Sequence, residues 1–453
     1  MTDVPRDLEH LADWPSDERL RALERIIPLT TIQEVLHETG HSSRHYGRLP
    51  PWFMVWFVIG LGLFARDCYR QVFKWLQRFR PGGTPGRNTL CEARQGLGVA
   101  PLRLLARRVV RLLGTPETPG AFYQGLRLMA LDGFVLDWPD TPANEHAFGR
   151  PQSGRAPGAF PQARVLALCE TGSHVLYRWL LKPIRRGEVS MADYLLRWLE
   201  EDMLLLWDRN FLSYKNVQQV RTRRAQLLAR IKSNLVFEPS EVLPDGSYLA
   251  KLYPSPTHRR QDRDGIVVRL IEYTLDDPAR AEPGRPQRLL TTLLDAGRYP
   301  AEELIVLYHE RWEEELAIDE LKTHQRERPV LRSQTPQGVV QEVEGLLLAH
   351  YVVRSLMHEA AGQQGLDPDR LSFVGALKVL RCRLPECPKS WRRRQRWYEA
   401  LLAEIGEEQI PPRRDRVNPR VIKRKMSKWP KKRPQHRRHP QPTRPFAETI
   451  RVT

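Results

Sequence analysis

The sequence predicts an α/β protein that opens with an all-helical N-terminal domain and carries an all-β insertion late in its α/β part. Three observations carry this prediction. Residues 1–110 read as helices separated by prolines. From Leu126 onward the order is strand, hairpin, helix, strand, then a late helix, which is an α/β order. Between the last strand and that helix, residues 233–297 hold Asp245-Gly246 and Asp264-Gly265 turns between alternating runs.

The helical region predicts helices at 17–26, 30–38, 51–64, 67–79 and 88–113, punctuated by Pro28, Pro50, Pro51, Pro81 and Pro85. The longest apolar run, Trp52 to Phe64, contains two glycines and falls short of the roughly 20 residues a bilayer requires. It reads as a buried core helix, with no membrane partner expected. Leu126–Leu131 is a short apolar strand ending at Asp132-Gly133. Ala163–Cys169 and Val175–Leu181 form a hairpin about the turn Glu170–Ser173. Met191–Leu199 has helical period, and Met203–Trp207 is a buried strand ending at Asp208. Leu227–Ile231 is a further strand, Tyr248–Leu252 and Ile266–Tyr273 belong to the insertion, and Pro300 opens a helix running past Lys322. The expected domains are 1–115, 116–380 with the insertion at about 233–297, and 381–453.

A chain of 453 residues holds two to four domains and a sizeable core. Lys and Arg total 72 against 54 Asp and Glu, a net charge of +18, which points to a polyanionic partner. The stretch Arg413–Arg444 carries 14 of those cations and a single acid, Asp415, so it supplies +13 of the total. It is also rich in proline and predicts an extended arm lying along phosphates, with Trp429 free to stack on a base. The five cysteines are scattered, which favours a reduced, cytosolic setting. The polar N-terminus predicts no secretory signal.

Asp132 and Asp208 fall at the ends of apolar strands, the edge where α/β sheets usually place their sites. A half-buried carboxylate needs a neutralising cation, and a divalent metal supplies one. A strand-ending Asp in a turn is the plain alternative. On the late helix, with Arg311 at zero, Lys322 falls at about 20°, Glu315 at about 40° and Tyr308 at about 60°. One narrow face therefore carries all four. An ordinary solvated face with an Arg311–Glu315 ion pair is the alternative there.

Tyr308-x2-Arg311-x3-Glu315-x6-Lys322 resembles the Y-R-E-K signature of the DDE transposases of the insertion-sequence-four family. Asp132-Gly133, with Pro139-Asp140-Thr141 and Ala147-Phe148-Gly149 after it, is similar to the region of their first catalytic Asp, and Asp208-Arg209-x-Phe211 to that of the second. Leu49–Trp75 and Asn418–Lys425 resemble the family as well, so the likeness covers most of the chain.

The resemblance implies an RNase H-like mixed-sheet core with a β insertion before the Glu-bearing helix. It implies a catalytic, metal-binding set of Asp132, Asp208 and Glu315 holding two Mg²⁺ ions, for which Mn²⁺ substitutes. Tyr308, Arg311, Lys322, Lys423, Arg424 and Lys425 would bind DNA. The expected activity is endonucleolytic cutting of the element's ends and their joining to target DNA, a recombination in the bacterial cytoplasm, at the nucleoid. The expected partners are double-stranded terminal inverted repeats and target DNA, bound by a dimer. The alternatives are a catalytically silent DNA-binding relic or domesticated copy, and an RNase H-like nuclease without strand transfer.

Local rivals exist at each position. Asp137 has the opposite strand parity from Asp132, and Asp140 reads as a turn residue. Asp202 precedes its strand, while Glu314 and Asp319 flank Glu315. The insertion contains no tryptophan to act as a base-flipping wedge; Phe237, Tyr248, Tyr253 and Tyr273 remain for that task. The N-terminal helices, with Arg44, Arg48, Arg66 and Arg70, read equally as an end-binding or a dimerising domain.

Overall fold

The apolar runs that follow residue 120 assemble one large sheet. The structure, a computed structural model, describes residues 19–41, 49–77, 83–153, 156–232, 234–277, 286–309, 311–411 and 444–453. Within these lie strands β1 (Leu126–Asp137), β2 (Gln162–Glu170), β3 (Val175–Pro183), β4 (Met203–Trp207), β5 (Gln226–Arg230), β6 (Glu241–Val242), β7 (Tyr248–Leu252), β8 (Ile266–Leu275), β9 (Gln287–Thr291) and β10 (Ile450–Val452). Their order across the sheet is β3-β2-β1-β4-β5-β9-β8-β7-β6, with β10 pairing on β8. The chain forms two compact units, one of residues 1–111, 136–162 and 319–409, the other of 112–135, 163–318 and 410–453.

The second unit holds most of the sheet. β1 runs parallel to β4, and β4 parallel to β5. β2 and β3 form the expected antiparallel hairpin. β4 is buried at every residue, as a near-continuous apolar run flanked on both sides by parallel partners should be. The insertion does not form a sheet of its own. β9 pairs antiparallel with β5, so β6 to β9 extend the central sheet, and one short helix, Pro256–Arg260, interrupts them. The core packs Leu128, Ala130, Leu204, Leu206 and Leu228 with Leu304, Ile305 and Tyr308 of the Ala301–His309 helix. Phe446 and Ile450 from beyond the basic stretch join the same cluster.

The first unit is helical. Pro51–Leu63 is a helix buried from Trp52 through Leu63. It packs against Pro336–Gln364, and the close approach requires glycine on both sides. A Cβ on Gly62 would sit 2.6 Å from the Gly345 carbonyl oxygen, and one on Gly345 would collide with the Val58 carbonyl. Two expected helices differ from the prediction. The 17–26 segment is a 3₁₀ turn over Arg19–Leu23. The 88–113 segment is two helices, Arg87–Leu97 and Ala100–Val109, because Gly98 takes φ 66° and Pro101 restarts the winding. No helix among the described residues is long and apolar enough to cross a membrane.

Candidate active site

The site is set by strand register. Leu131 on β1 pairs with Trp207 on β4, and Trp207 pairs with Ala229 on β5. The next residues on these three neighbouring strands are Asp132, Asp208 and Arg230. Adjacent strands lie roughly 4.8 Å apart, so two carboxylates and a guanidinium form one row across the sheet. Each aspartate is held from its own main chain. The Gly133 N–H donates to Asp132 Oδ1 at 2.8 Å, and the Arg209 N–H to Asp208 Oδ1 at 2.7 Å. β4 stops at Trp207, where a turn closed by Phe211 N–H on the Asp208 carbonyl begins. β1 does not stop at Asp132, as its sequence suggests, but continues to Asp137. Asp132 is instead the point where β1 outruns its parallel partner.

Asp132 is half-buried, and burial pushes its carboxyl up to about 6. The Gly133 N–H and the Arg311 charge pull it down, while Glu188 and Glu315 push it further up. These four charged groups thus act on one another at close range.

Glu315 stands on the helix Trp312–Asp319. Arg311, 12% exposed, donates to its Oε1 at 3.0 Å, the expected i,i+4 pair. The late helix is interrupted at Arg311, a turn residue whose N–H reaches back to the Tyr308 carbonyl at 3.3 Å. Tyr308 is assigned to DNA by the sequence motif, yet it is buried and donates its hydroxyl to the Trp207 carbonyl at 3.2 Å. Burial raises that hydroxyl to about 12, with Asp208 adding to the rise. Lys322 is exposed on the wider-wound π segment Glu320–Gln325, which belongs to the helical unit. A uniform 100° count does not carry across the interruption and the π winding. Lys423, Arg424 and Lys425, with Trp429, Arg44 and Arg48, lie outside the described residues.

The rivals have other partners. Asp137 accepts from the Gln162 amide at 2.7 Å, and Asp140 is paired to Arg150. Asp202 is exposed before β4, and Asp319 accepts from Thr323 at 2.6 Å.

Three contributors were missed by sequence reasoning. Glu188 opens the helix Glu188–Leu195, is ion-paired to Arg164 on β2, and packs on Gly133. A Cβ at Gly133 would lie 2.8 Å from its Oε1, so glycine there makes room for a fourth carboxylate. An acid in a first helical turn looks like ordinary dipole compensation, which hid it. His174, fully buried at φ 56°, bonds Glu313 at 2.9 Å and so ties the β2–β3 turn to the Glu315 helix. Arg230 is the third, visible only once the register is known.

Hard carboxylate oxygens are the donors that Mg²⁺ and Mn²⁺ prefer. Asp132, half-buried, has the charges of Glu188 and Glu315 acting on it, and such a group of carboxylates fits a divalent cation.

Residues 17–107 match the family described as insertion element 4 transposase N-terminal, and residues 123–352 match the transposase DDE domain. The chain is 30% identical over 409 residues to the transposase InsG for insertion sequence element IS4 of Escherichia coli (strain K12), across 88% of this chain and 91% of that protein. A cryo-EM structure of the piggyBac transposase synaptic complex with hairpin DNA shares 12% identity over 86% of each chain at a TM-score of 0.44, a likeness too slight to carry argument.

Proposed function

This chain belongs to the insertion element 4 family of DDE transposases, metal-dependent enzymes that act on DNA, and from that premise we propose that Asp132, Asp208 and Glu315 are its metal ligands and catalytic carboxylates. The observation that supports this most is the register. Two aspartates follow paired residues on adjacent parallel strands, and the charge of Glu315 acts on the first of them. When bound, two Mg²⁺ ions, or Mn²⁺ in their place, would activate the attacking hydroxyl and stabilise the leaving oxygen.

The protein's own groups do the rest. Arg311 holds Glu315 and brings a guanidinium charge to a phosphate near the scissile bond. Tyr308 braces the strand end beneath Asp208 rather than meeting DNA directly. Arg230, exposed at the end of the carboxylate row, and Lys322 contact phosphates. Lys423, Arg424 and Lys425 lie along the duplex backbone, each contact releasing a counterion.

Residues 1–115 bind the element's inverted repeats or dimerise, 116–380 carry the chemistry, and 381–453 add DNA contacts. Two ends must be brought together, so the working form is a dimer on DNA, acting in the bacterial cytoplasm at the nucleoid. The test is incubation of the purified protein with Mg²⁺ and DNA carrying the element's own ends, beside Glu315→Ala. Metal-dependent nicking at the ends, lost in the variant, is the expected result. Binding without cutting in both Mg²⁺ and Mn²⁺ would instead identify a silent DNA-binding protein.

A further inference from the structure

The helix Trp391–Glu407 begins with the sequence Trp391-Arg392-Arg393-Arg394-Gln395-Arg396 and has no acid in its first turn. Its far face is fixed to the protein by buried Tyr398, Leu401, Leu402 and Ile405. With Trp391 at zero, those four lie between about 280° and about 20°. Arg392, Arg396 and Arg393 lie at about 100°, 140° and 200°, on the opposite side. All three are exposed, and among the described residues none has an ion-pair or hydrogen-bond partner. Trp391, the first residue of the helix and on the side of the buried four, is 69% exposed.

For stability alone this arrangement is adverse. The start of a helix carries positive partial charge, so cations there are repelled and acids favoured. Arg392 and Arg396 are also like charges at i,i+4, which destabilise one another. A large indole left in water adds to the cost. Local choices that oppose the fold in this way mark function. The missing element is an anion carrying several charges at helical spacing, which the phosphates of a duplex supply.

We propose that this helix is a second DNA-docking surface, and that its occupant is duplex DNA of no fixed sequence, the target rather than the element's own ends. Guanidinium–phosphate contacts position a duplex without reading its sequence, and Gln395, the one amide of this helix, is half-buried at about 40°, away from the three exposed cations. The proposal rests on the chain being a DNA transposase and adds a contact outside the carboxylate site.

The test compares the full chain with the triple variant Arg392→Ala, Arg393→Ala, Arg396→Ala, in chelator, on three unrelated duplexes and one carrying the element's end. The slope of log K against log salt should fall by about two to three, and the loss should be equal on the three unrelated duplexes. Trp391→Ala, on the other side of the helix, should leave the slope unchanged. The melting temperature of the triple variant should match or exceed that of the parent, because repelling charges are removed. An unchanged slope would overturn the proposal, as would a loss confined to the element's end. The measurement uses no metal and no cleavage, so its failure leaves the catalytic reading standing, and absent cleavage leaves this result standing.

Discussion

The Tyr308 hydroxyl donates to the main-chain carbonyl of Trp207 at 3.2 Å, one residue before Asp208. The stretch that leads into the Glu315 helix is thereby fastened to the strand that presents the second aspartate. Tyr308→Phe removes one buried hydrogen bond and leaves a carbonyl without it, a loss of about 1–2 kcal/mol in stability. DNA affinity should stay near that of the parent, while end cleavage should drop several-fold. A loss of DNA affinity equal to the loss of cleavage would instead place the hydroxyl on the DNA.

Asp132 links catalysis to pH. Its carboxyl is raised from 3.8 to about 6 in the folded protein, so the fold favours the protonated form. The stability this lends is full below about 3.8 and is gone once pH has risen through about 6. At pH 8 without metal, the ionised group therefore costs the fold, on the order of 1–3 kcal/mol. Asp132→Asn should raise the melting temperature in chelator at pH 8 and leave it nearly unchanged at pH 4. Thermal unfolding at the two values checks this, and equal shifts at both would remove the charge as the cause.

Gly133 should not tolerate a side chain. Gly133→Ala pushes on the Glu188 carboxylate and strains its pairing with Arg164. Metal affinity, read by calorimetry, should weaken by about tenfold or more, as when groups supporting a ligand are disturbed. Glu188→Gln keeps the shape and removes one negative charge beside Asp132, so it should lower the apparent proton affinity of that site. A metal affinity unchanged in both variants would make Glu188 a packing residue only.

The basic stretch needs a careful deletion. Removing 412–443 alone should flatten the salt dependence of non-specific DNA binding while leaving the fold intact. Removing everything from 412 onward also takes out Phe446 and Ile450, which are 5% and 3% exposed in the catalytic core. Loss of two such side chains costs several kcal/mol, so the longer deletion should unfold or aggregate. Equal melting temperatures for both deletions would deny the terminal strand a structural role.

Much of this was legible in the sequence because it depends on local pattern. Alternating or continuous apolar runs located β2, β3, β4, β5, β7 and β8, and the Arg311–Glu315 pair follows from i,i+4 spacing. What escaped depends on register and on distant packing. The stretch 301–325 contains neither glycine nor proline, so nothing local announces the interruption at Arg311 or the π winding at Glu320. That winding accompanies a buried pairing of Glu320 with Arg354 and His350, which a helical wheel cannot contain. Arg230 and Glu188 were invisible for the same reason, since each meets the site only through a neighbouring strand. The true length of β1 was hidden by Asp132-Gly133, a pair that ordinarily ends strands.

The pairing of Leu275 with Ile450 joins positions about 175 residues apart, and the chain passes through the helical unit between them. Contacts of such separation form late in folding. Until β10 docks, the outer part of β8 is an open edge above an incomplete apolar cluster, a template for pairing with other strands. Refolding from denaturant should therefore show a slow phase whose yield falls with protein concentration. The enzyme's window of vulnerability is its own maturation, and dilution protects it there.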